Sequence, residues 1–292
     1  MQPIRQQLGN TRNLLLSPDS KLNLLPFETL VDENNNYLLT TTHTITYLTS
    51  GRDLQRLTPP KPNNNPSLIL ADPSFGKPGT LATTRTLDLT KQSFPPLSGT
   101  RTEATALGTL LNTQPLLGTD ATETAIKQTK SPRILHIATH GFFQPPSPND
   151  KTNPLLNSGI VLAGFQVGQS GNDDGILTAL EVSNLNLTNT KLVTLSACET
   201  GLGTTSNGEG IYGLRRALTI AGAESQTISL WKVSDDATKD LMINDYTRLN
   251  KGEGRTIALQ NAQRDMLKSK DYSHPYYWAA FIPSGDWRPL NP

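Results

Sequence analysis

The sequence predicts an α/β fold in which a mostly parallel sheet carries helices on both faces. Three observations favour this class. From residue 67 onward, short apolar runs typical of strands alternate with longer stretches typical of helices. The strand-like runs hold about four to eight mostly apolar residues, as in sheets that are buried on both faces. The chain of 292 residues is also long enough to bury a large core.

The first 66 residues predict short strands and turns. The segment PIRQQLG resembles the end of a helix, and short apolar segments follow it. The turn-forming residues that separate these segments are Asp19, Asn34, Asn35 and Asn36. The Pro- and Asn-rich stretch 58–66 predicts either a linker or a surface loop. We therefore divide the chain into an N-terminal part, 1–66, and a second part, 67–292.

The second part predicts strands and helices in alternation. The expected strands are 67–73, 133–140, 191–198, 225–231 and 276–285. The expected helices are 99–112, 121–130, 211–222, 236–249 and 254–268. The segment 141–191 predicts mostly loop, with one short helix near 178–185. Strands in this rhythm pair in parallel and are covered by the helices between them.

Charge and cysteine content disfavour several classes of protein. The 26 Lys and Arg residues balance 25 Asp and Glu residues, which disfavours a nucleic-acid binder. One cysteine excludes an internal disulfide framework and a multi-cysteine metal site, and four scattered histidines disfavour any metal site. No apolar run approaches the ~18 residues of a membrane span, and no signal peptide is evident. These features predict a cytoplasmic protein that contacts neither nucleic acid nor membrane.

Two predicted strands end in residues suited to nucleophilic catalysis. Ligands of open parallel sheets bind beyond the carboxyl ends of the strands. One strand ends in His140, followed by Gly141, and another ends in Cys198. A thiol and an imidazole at adjacent strand ends would form a nucleophile and its base. The N–H groups of Gly141 and Cys198 would form an oxyanion hole. No acidic third member is evident from the spacing, so we expect a dyad.

These residues also have ordinary structural interpretations. A single cysteine in an apolar strand is commonly a buried, inert side chain, and a histidine at a strand end is commonly structural. His136 is expected to pack or to support His140, whereas His43 and His274 have no evident partner. The Gly-rich run 201–210 matches neither the dinucleotide nor the P-loop pattern, which disfavours nucleotide binding.

The motifs HIATHG (136–141) and LSACETG (195–201) resemble the catalytic core of the CHAT domain family, a group of caspase- and separase-related cysteine peptidases. Other segments match the family in order along the chain: 22–30, 71–74, 100–104, 174–179, 208–214, 221–225, 229–238 and 276–287. The resemblance implies that His140 is the catalytic histidine, Cys198 the nucleophile and Gly141 part of the oxyanion hole. It also implies a caspase-like sheet with a degenerate caspase-like N-terminal half.

The resemblance implies a bacterial endopeptidase that cleaves a protein partner through a covalent thioacyl intermediate. This chemistry requires no cofactor, and activation by calcium, as in some relatives, stays open. The family commonly joins the peptidase to helical repeats or other sensor regions. We therefore expect the chain to belong to a longer protein, in which such a region or a partner restrains the active site. The alternative is a scaffold or adaptor module whose Cys and His are idle.

One segment bears on substrate choice. The segment 229–236 is similar to the separase segment whose acidic residue pairs with an arginine at P1, and Asp235 matches best. With Asp236 and Trp231, it is expected to line a pocket that accepts Arg or Lys. The alternative is that Asp235 and Asp236 cap the following helix. Asp174, in the loop before the cysteine strand, is the second candidate for the pocket carboxylate.

Overall fold

The computed structural model describes residues 6–41, 43–57, 59, 61–76, 94–144, 153–199, 209–232 and 234–290, and gives the backbone alone at 98, 198–199 and 209–212. Within these residues ten strands form one sheet. They are β1 (Asn13–Leu16), β2 (Thr44–Tyr47), β3 (Leu68–Pro73), β4 (Leu116–Gly118), β5 (Ile134–Phe143), β6 (Ser158–Val161), β7 (Ile176–Thr178), β8 (Leu192–Glu199), β9 (Ser225–Ser229) and β10 (Phe281–Gly285).

Helices connect and cover these strands. They are α1 (Ser98–Leu111), α2 (Glu123–Gln128), α3 (Ala179–Ser183), α4 (Glu209–Ala221), α5 (Asp235–Asn250), α6 (Arg255–Lys268) and α7 (Pro275–Trp278). Short 3₁₀ helices lie at 20–24, 27–29, 38–40, 51–56, 154–156 and 165–167. Most of the strands and helices predicted for the second part are therefore confirmed, with ends that shift by a few residues.

The sheet is mixed, with a parallel centre. Its order is β1-β2-β10-β9-β8-β5-β3-β4, and β6 and β7 extend it from the end of β5. Strands β3, β5, β8 and β9 run parallel, whereas β10 runs antiparallel to β9 and β6 antiparallel to β5. Every residue of β5 is buried, as expected for a strand covered on both faces. The prediction of a mostly parallel α/β sheet is confirmed.

Two apolar clusters lie on opposite faces of the sheet, because successive side chains of a strand alternate in direction. Leu135 and Ile137 of β5 pack in the cluster that includes α4. Ile134 and Ala138 of the same strand pack in the cluster that includes α1, α5 and α6. His140 has the same parity as Ala138, so its side chain belongs to the α1–α5 face.

The segment 141–191 contains a hairpin that was not predicted. Here β6 and β7 pair antiparallel with each other, and β6 also pairs with the last four residues of β5. The expectation of mostly loop was wrong because strands of three and four residues are too short to show a period in the sequence.

The segment 276–285 is also only partly a strand. Pro275 begins the short helix α7, and the ring nitrogen Nδ1 of His274 accepts a hydrogen bond from the Tyr276 N–H at 3.1 Å. The strand itself begins at Phe281. Pro favours the first turn of a helix, where its missing N–H has no cost, and this explains the change from strand to helix.

Part of the stretch 58–66 lies against the body of the protein. The Asn63 side chain is buried, and its amide donates hydrogen bonds to the Ser131 carbonyl at 3.1 Å and the Asn189 carbonyl at 2.8 Å. These bonds join it to the loops that precede β5 and β8. The division of the chain after residue 66 stays a prediction.

Candidate active site

The two residues expected to form a dyad lie opposite each other on neighbouring central strands. In the parallel register of β5 and β8, His140 pairs with Cys198 and Gly141 pairs with Glu199. Neighbouring strands are about 4.8 Å apart, and paired positions share one face of the sheet. On its other side β5 pairs with β6, where Val161 is opposite His140. Gly141 is thus buried between two strands.

His140 is not at a strand end, as the sequence suggested, but inside β5. The strand continues to Phe143 because it gains β6 as a partner where β3 ends. The His140 side chain is buried, with only 2% of its surface exposed. Its ring contacts two aromatic rings, with centroid distances of 5.6 Å to Phe75 and 5.5 Å to Phe94, and these two rings also contact each other at 6.1 Å.

A backbone carbonyl fixes the tautomer of His140. Its Nε2 lies 2.8 Å from the Pro95 oxygen, and because a carbonyl only accepts, Nε2 carries the hydrogen. Burial lowers the pKa of His140 below its usual 6.5; the Pro95 carbonyl and Asp235 oppose the shift, and Lys232 adds to it. The imidazole is therefore neutral at neutral pH, with its lone pair on Nδ1. The sequence does not reveal this orienting carbonyl, because a main-chain group leaves no residue pattern.

The start of α1 is tied to the end of β3. The Thr100 hydroxyl accepts a hydrogen bond from the Asp72 N–H at 2.9 Å and donates one to the Leu97 carbonyl at 2.7 Å. The Asp72 carboxylate accepts from Arg101 Nε at 2.7 Å. Two separately matched segments, 71–74 and 100–104, therefore form one structure beside the histidine.

A buried polar chain lies on the same face of the sheet. His136 Nε2 is 3.0 Å from Glu103 Oε1 of α1, and His136 Nδ1 is 3.0 Å from the Tyr246 hydroxyl of α5. The Tyr246 hydroxyl also lies 2.9 Å from the Thr194 hydroxyl of β8. His136 thus supports the site, as the sequence indicated, rather than facing a ligand.

A small cavity lies next to His140 and opens between α1 and α5. Its volume is about 30 Å3, room for roughly one water molecule. It is lined by Leu97, Thr100, Glu103, Thr139, His140, Ser196, Lys232, Asp235, Thr238 and Phe281. The structure therefore brings Asp235 to the cavity beside His140, together with Lys232, a cation that was not predicted from the sequence.

The other pocket candidates do not line this cavity. Trp231 Nε1 donates to the Tyr276 carbonyl at 3.0 Å. Asp174 Oδ1 accepts from the Ile176 N–H at 2.8 Å, at the start of β7. Asp236 is exposed, and its carboxylate lies 3.4 Å from the Lys239 ammonium.

The alternative that Asp235 and Asp236 cap the helix α5 is wrong, because a different residue is the cap. Ser234 is the N-cap of α5, and its hydroxyl accepts from the Ala237 N–H at 3.2 Å. Asp235 and Asp236 occupy the first helical turn, where negative charge is favourable. The Asp235 side chain therefore takes no part in the capping hydrogen bond. The Gly-rich run 201–210 lies outside the described residues except for its last two positions.

Two comparisons relate this chain to known sequences. The family model for the CHAT domain matches residues 1–286. Tetratricopeptide repeat protein 28 from Mus musculus is 26% identical over 312 residues, and the human protein is 26% identical over 315. Each match covers 97% of this chain but only 12% of the relative's length.

Solved structures share the fold. The crystal structure of the Arg-specific cysteine proteinase gingipain R has a TM-score of 0.55 at 11% identity, covering 99% of this chain and 67% of that one. The Saccharomyces cerevisiae separase–securin complex has a TM-score of 0.51 at 15% identity, covering 93% of this chain and 15% of that one. The architecture is therefore that of caspase-like cysteine proteases. None of the described helices combines the length and the apolar character needed to cross a membrane.

Proposed function

This chain belongs to the CHAT domain family, and on that premise we propose that it is a cysteine endopeptidase that cleaves a protein partner. The main support is the register that sets Cys198 opposite His140 on adjacent central strands. The fold shared with cysteine proteases is the second support. No cofactor enters the proposed chemistry.

The proposed reaction uses two protein groups. The Cys198 sulfur attacks the scissile carbonyl carbon, and the thiol proton passes to Nδ1 of His140, because Nε2–H is engaged by the Pro95 carbonyl. His140 then gives this proton to the departing amine, leaving a thioester on Cys198. Water hydrolyses the thioester, with His140 again as base, and releases the new carboxylate. The N–H groups of Gly141 and Cys198 are our candidates to stabilise the oxyanion.

We further propose that the peptidase prefers Arg or Lys at P1. Asp235 lines the cavity beside His140, and a carboxylate there would pair with a guanidinium through two hydrogen bonds. Gingipain R, which has the same fold, is named as Arg-specific. A basic side chain does not fit the present cavity of about 30 Å3. Lys232, which is exposed, would therefore move aside when substrate binds.

Regulation by other protein elements is also part of the proposal. The curated relatives are named for tetratricopeptide repeats, and this chain matches 12% of their length. The separase structure contains securin as a second protein. A helical-repeat region or a partner would thus control access to the site, in a cytoplasmic setting. The mouse and human relatives give no support to a bacterial source.

A peptide library with a fixed P1 residue tests the proposal. The chain is incubated with the library, and the cut ends are read by mass spectrometry for the unaltered protein, Cys198→Ala and Asp235→Ala. We expect cleavage after Arg and Lys, none with Cys198→Ala, and loss of the basic preference with Asp235→Ala. Undiminished cleavage by Cys198→Ala would rule out the dyad. A preference for Leu, Met or Asp would rule out the pocket alone.

A further inference from the structure

The first turns of α1 and α5 meet at one close contact beside His140. A Cβ atom built on Gly99 of α1 would lie 2.2 Å from the Asp235 Cβ, 2.6 Å from its Cγ and 2.4 Å from its Oδ2. Non-bonded carbon atoms do not approach so closely, so no side chain fits at position 99 while Asp235 keeps its position. The Asp235 side chain therefore packs directly on the Gly99 backbone.

Charge and capping also suit this contact. The N-cap of α1 is Leu97, which supplies no side-chain hydrogen bond, and the first turn of α1 contains no acidic residue. The Asp235 carboxylate lies against this turn while it belongs to the first turn of α5. Both helix N-termini carry partial positive charge, which favours a carboxylate between them.

The Gly99 backbone is a fixed surface rather than a yielding one. The next residue, Thr100, is bonded to the end of β3 through Asp72. One turn later, Glu103 contacts His136 inside the sheet. Bulk added at position 99 would therefore displace Asp235, which is the exposed partner, rather than α1.

We propose that Gly99 is a positioning residue for substrate selection, because its missing side chain lets the Asp235 carboxylate lie at the cavity beside His140. The inference rests on the proposed function in one respect, namely that this cavity accepts the P1 side chain. Gly99 acts through Asp235 and does not itself contact the substrate in this proposal. Its consequence is that Gly99→Ala changes which side chain is accepted, while the dyad stays intact.

Binding without turnover tests this inference. In the Cys198→Ala form, titrations followed by NMR compare N-acetyl-arginine methylamide with N-acetyl-norleucine methylamide. We expect the arginine probe to bind more tightly, because a charge-assisted bidentate pair is worth at least about tenfold in affinity. Adding Gly99→Ala should remove most of that preference, as Asp235→Ala does, and leave norleucine binding unchanged.

A clash elsewhere in the same helix provides the control. In Gly108→Ala, the new Cβ would lie 2.8 Å from the Thr113 carbonyl oxygen, far from Asp235. If Gly108→Ala reduces the arginine preference equally, a general disturbance of α1 explains the effect and the inference is wrong. It is also wrong if Gly99→Ala keeps the preference. A protein with no arginine preference before any change at 99 would instead refute the proposed pocket.

A second measurement tests the inference even if Gly99→Ala folds poorly. Gly99→Ala should lower Tm by several degrees in the unaltered protein, but by much less when combined with Asp235→Gly, which removes the Cβ that the new methyl would meet. An equal loss of Tm in both backgrounds would show that Asp235 is not the group displaced, and would overturn the inference.

Discussion

Glu103 Oε1 of α1 lies 3.0 Å from His136 Nε2 of β5, and both side chains are almost completely buried. The contact joins the helix that borders the cavity to the strand that carries His140. We expect Glu103→Leu to lower the free energy of unfolding by about 3 kcal/mol, because it leaves His136 without this partner in an apolar interior. Urea denaturation measures the change.

Glu103→Gln is the matched variant for that prediction. Its amide keeps a polar group of nearly the same shape beside His136, so it should lose clearly less stability than Glu103→Leu. Equal losses for the two variants would mean that the polar contact between position 103 and His136 contributes little.

Alkylation reports the dyad without a substrate. With neutral His140 as base, the Cys198 thiol should react with iodoacetamide at neutral pH, and His140→Gln should slow labelling by roughly tenfold or more. Intact-mass measurements over time give both rates. Labelling that occurs only after denaturation would support the alternative of an adaptor with an idle thiol.

His140→Gln needs its own stability control, because His140 is buried and packs against Phe75 and Phe94. A cavity-forming His140→Ala should cost about 2 kcal/mol of unfolding free energy. A slow labelling rate is therefore interpreted only for a variant whose denaturation midpoint shows that it is folded.

Asp245 of α5 should make stability depend on pH. Burial raises the pKa of Asp245 to about 8, Glu253 adds to the shift, and Arg248 opposes it. The folded pKa lies above the unfolded value, so the folded state binds more protons and its stability falls as pH rises from about 4 through 8. Asp245→Asn should remove this loss.

The expected result is a Tm advantage for Asp245→Asn that grows from acid to alkaline pH, by roughly 2–4 °C for each kcal/mol regained. Scanning calorimetry across that range measures it. Asp240→Asn, at an exposed position of the same helix, is the control and should show no such trend. An advantage independent of pH would argue against titration of Asp245.

Gly175 should tolerate no side chain. It has a φ of +88°, and a Cβ there would lie 2.7 Å from the Phe165 Cα, a main-chain atom that cannot move away cheaply. Gly252 has a nearly equal φ of +87° but nothing within 4 Å of its Cβ position. Gly252→Ala should therefore cost only the ~1–2 kcal/mol of the left-handed conformation, and Gly175→Ala distinctly more in the same denaturation assay. Equal costs would contradict the clash.

The sequence predicted the alternation of strands and helices along the chain, but not the features that depend on single contacts. Strands such as 67–73 were predictable because a short apolar run between turn-forming residues is typical of a buried strand. The pairing of His140 with Cys198 followed from two motifs and a parallel sheet. Pro95 could not be predicted, because its role belongs to its carbonyl and any residue type carries one.

Asp235 shows the same limit at the candidate pocket. Similarity to another family pointed to the residue, yet its place at the cavity depends on the empty space above Gly99. Burial of His140 was not predicted for a related reason, since it depends on contacts with Phe75 and Phe94, which lie far from it along the chain.

Tyr47 of β2 lies opposite Ser284 of β10, so strands from the beginning and the end of the sequence are neighbours in the sheet. During synthesis, β1 and β2 leave the ribosome long before β10, the strand that joins them to the centre. The edges of β2 and β9 that pair with β10 stay unpaired until β10 has been made. Pairing over such a distance along the chain slows folding and leaves edges open to other chains. The newly made protein therefore has a period of vulnerability to aggregation, and chaperones that shield strand edges should increase its yield.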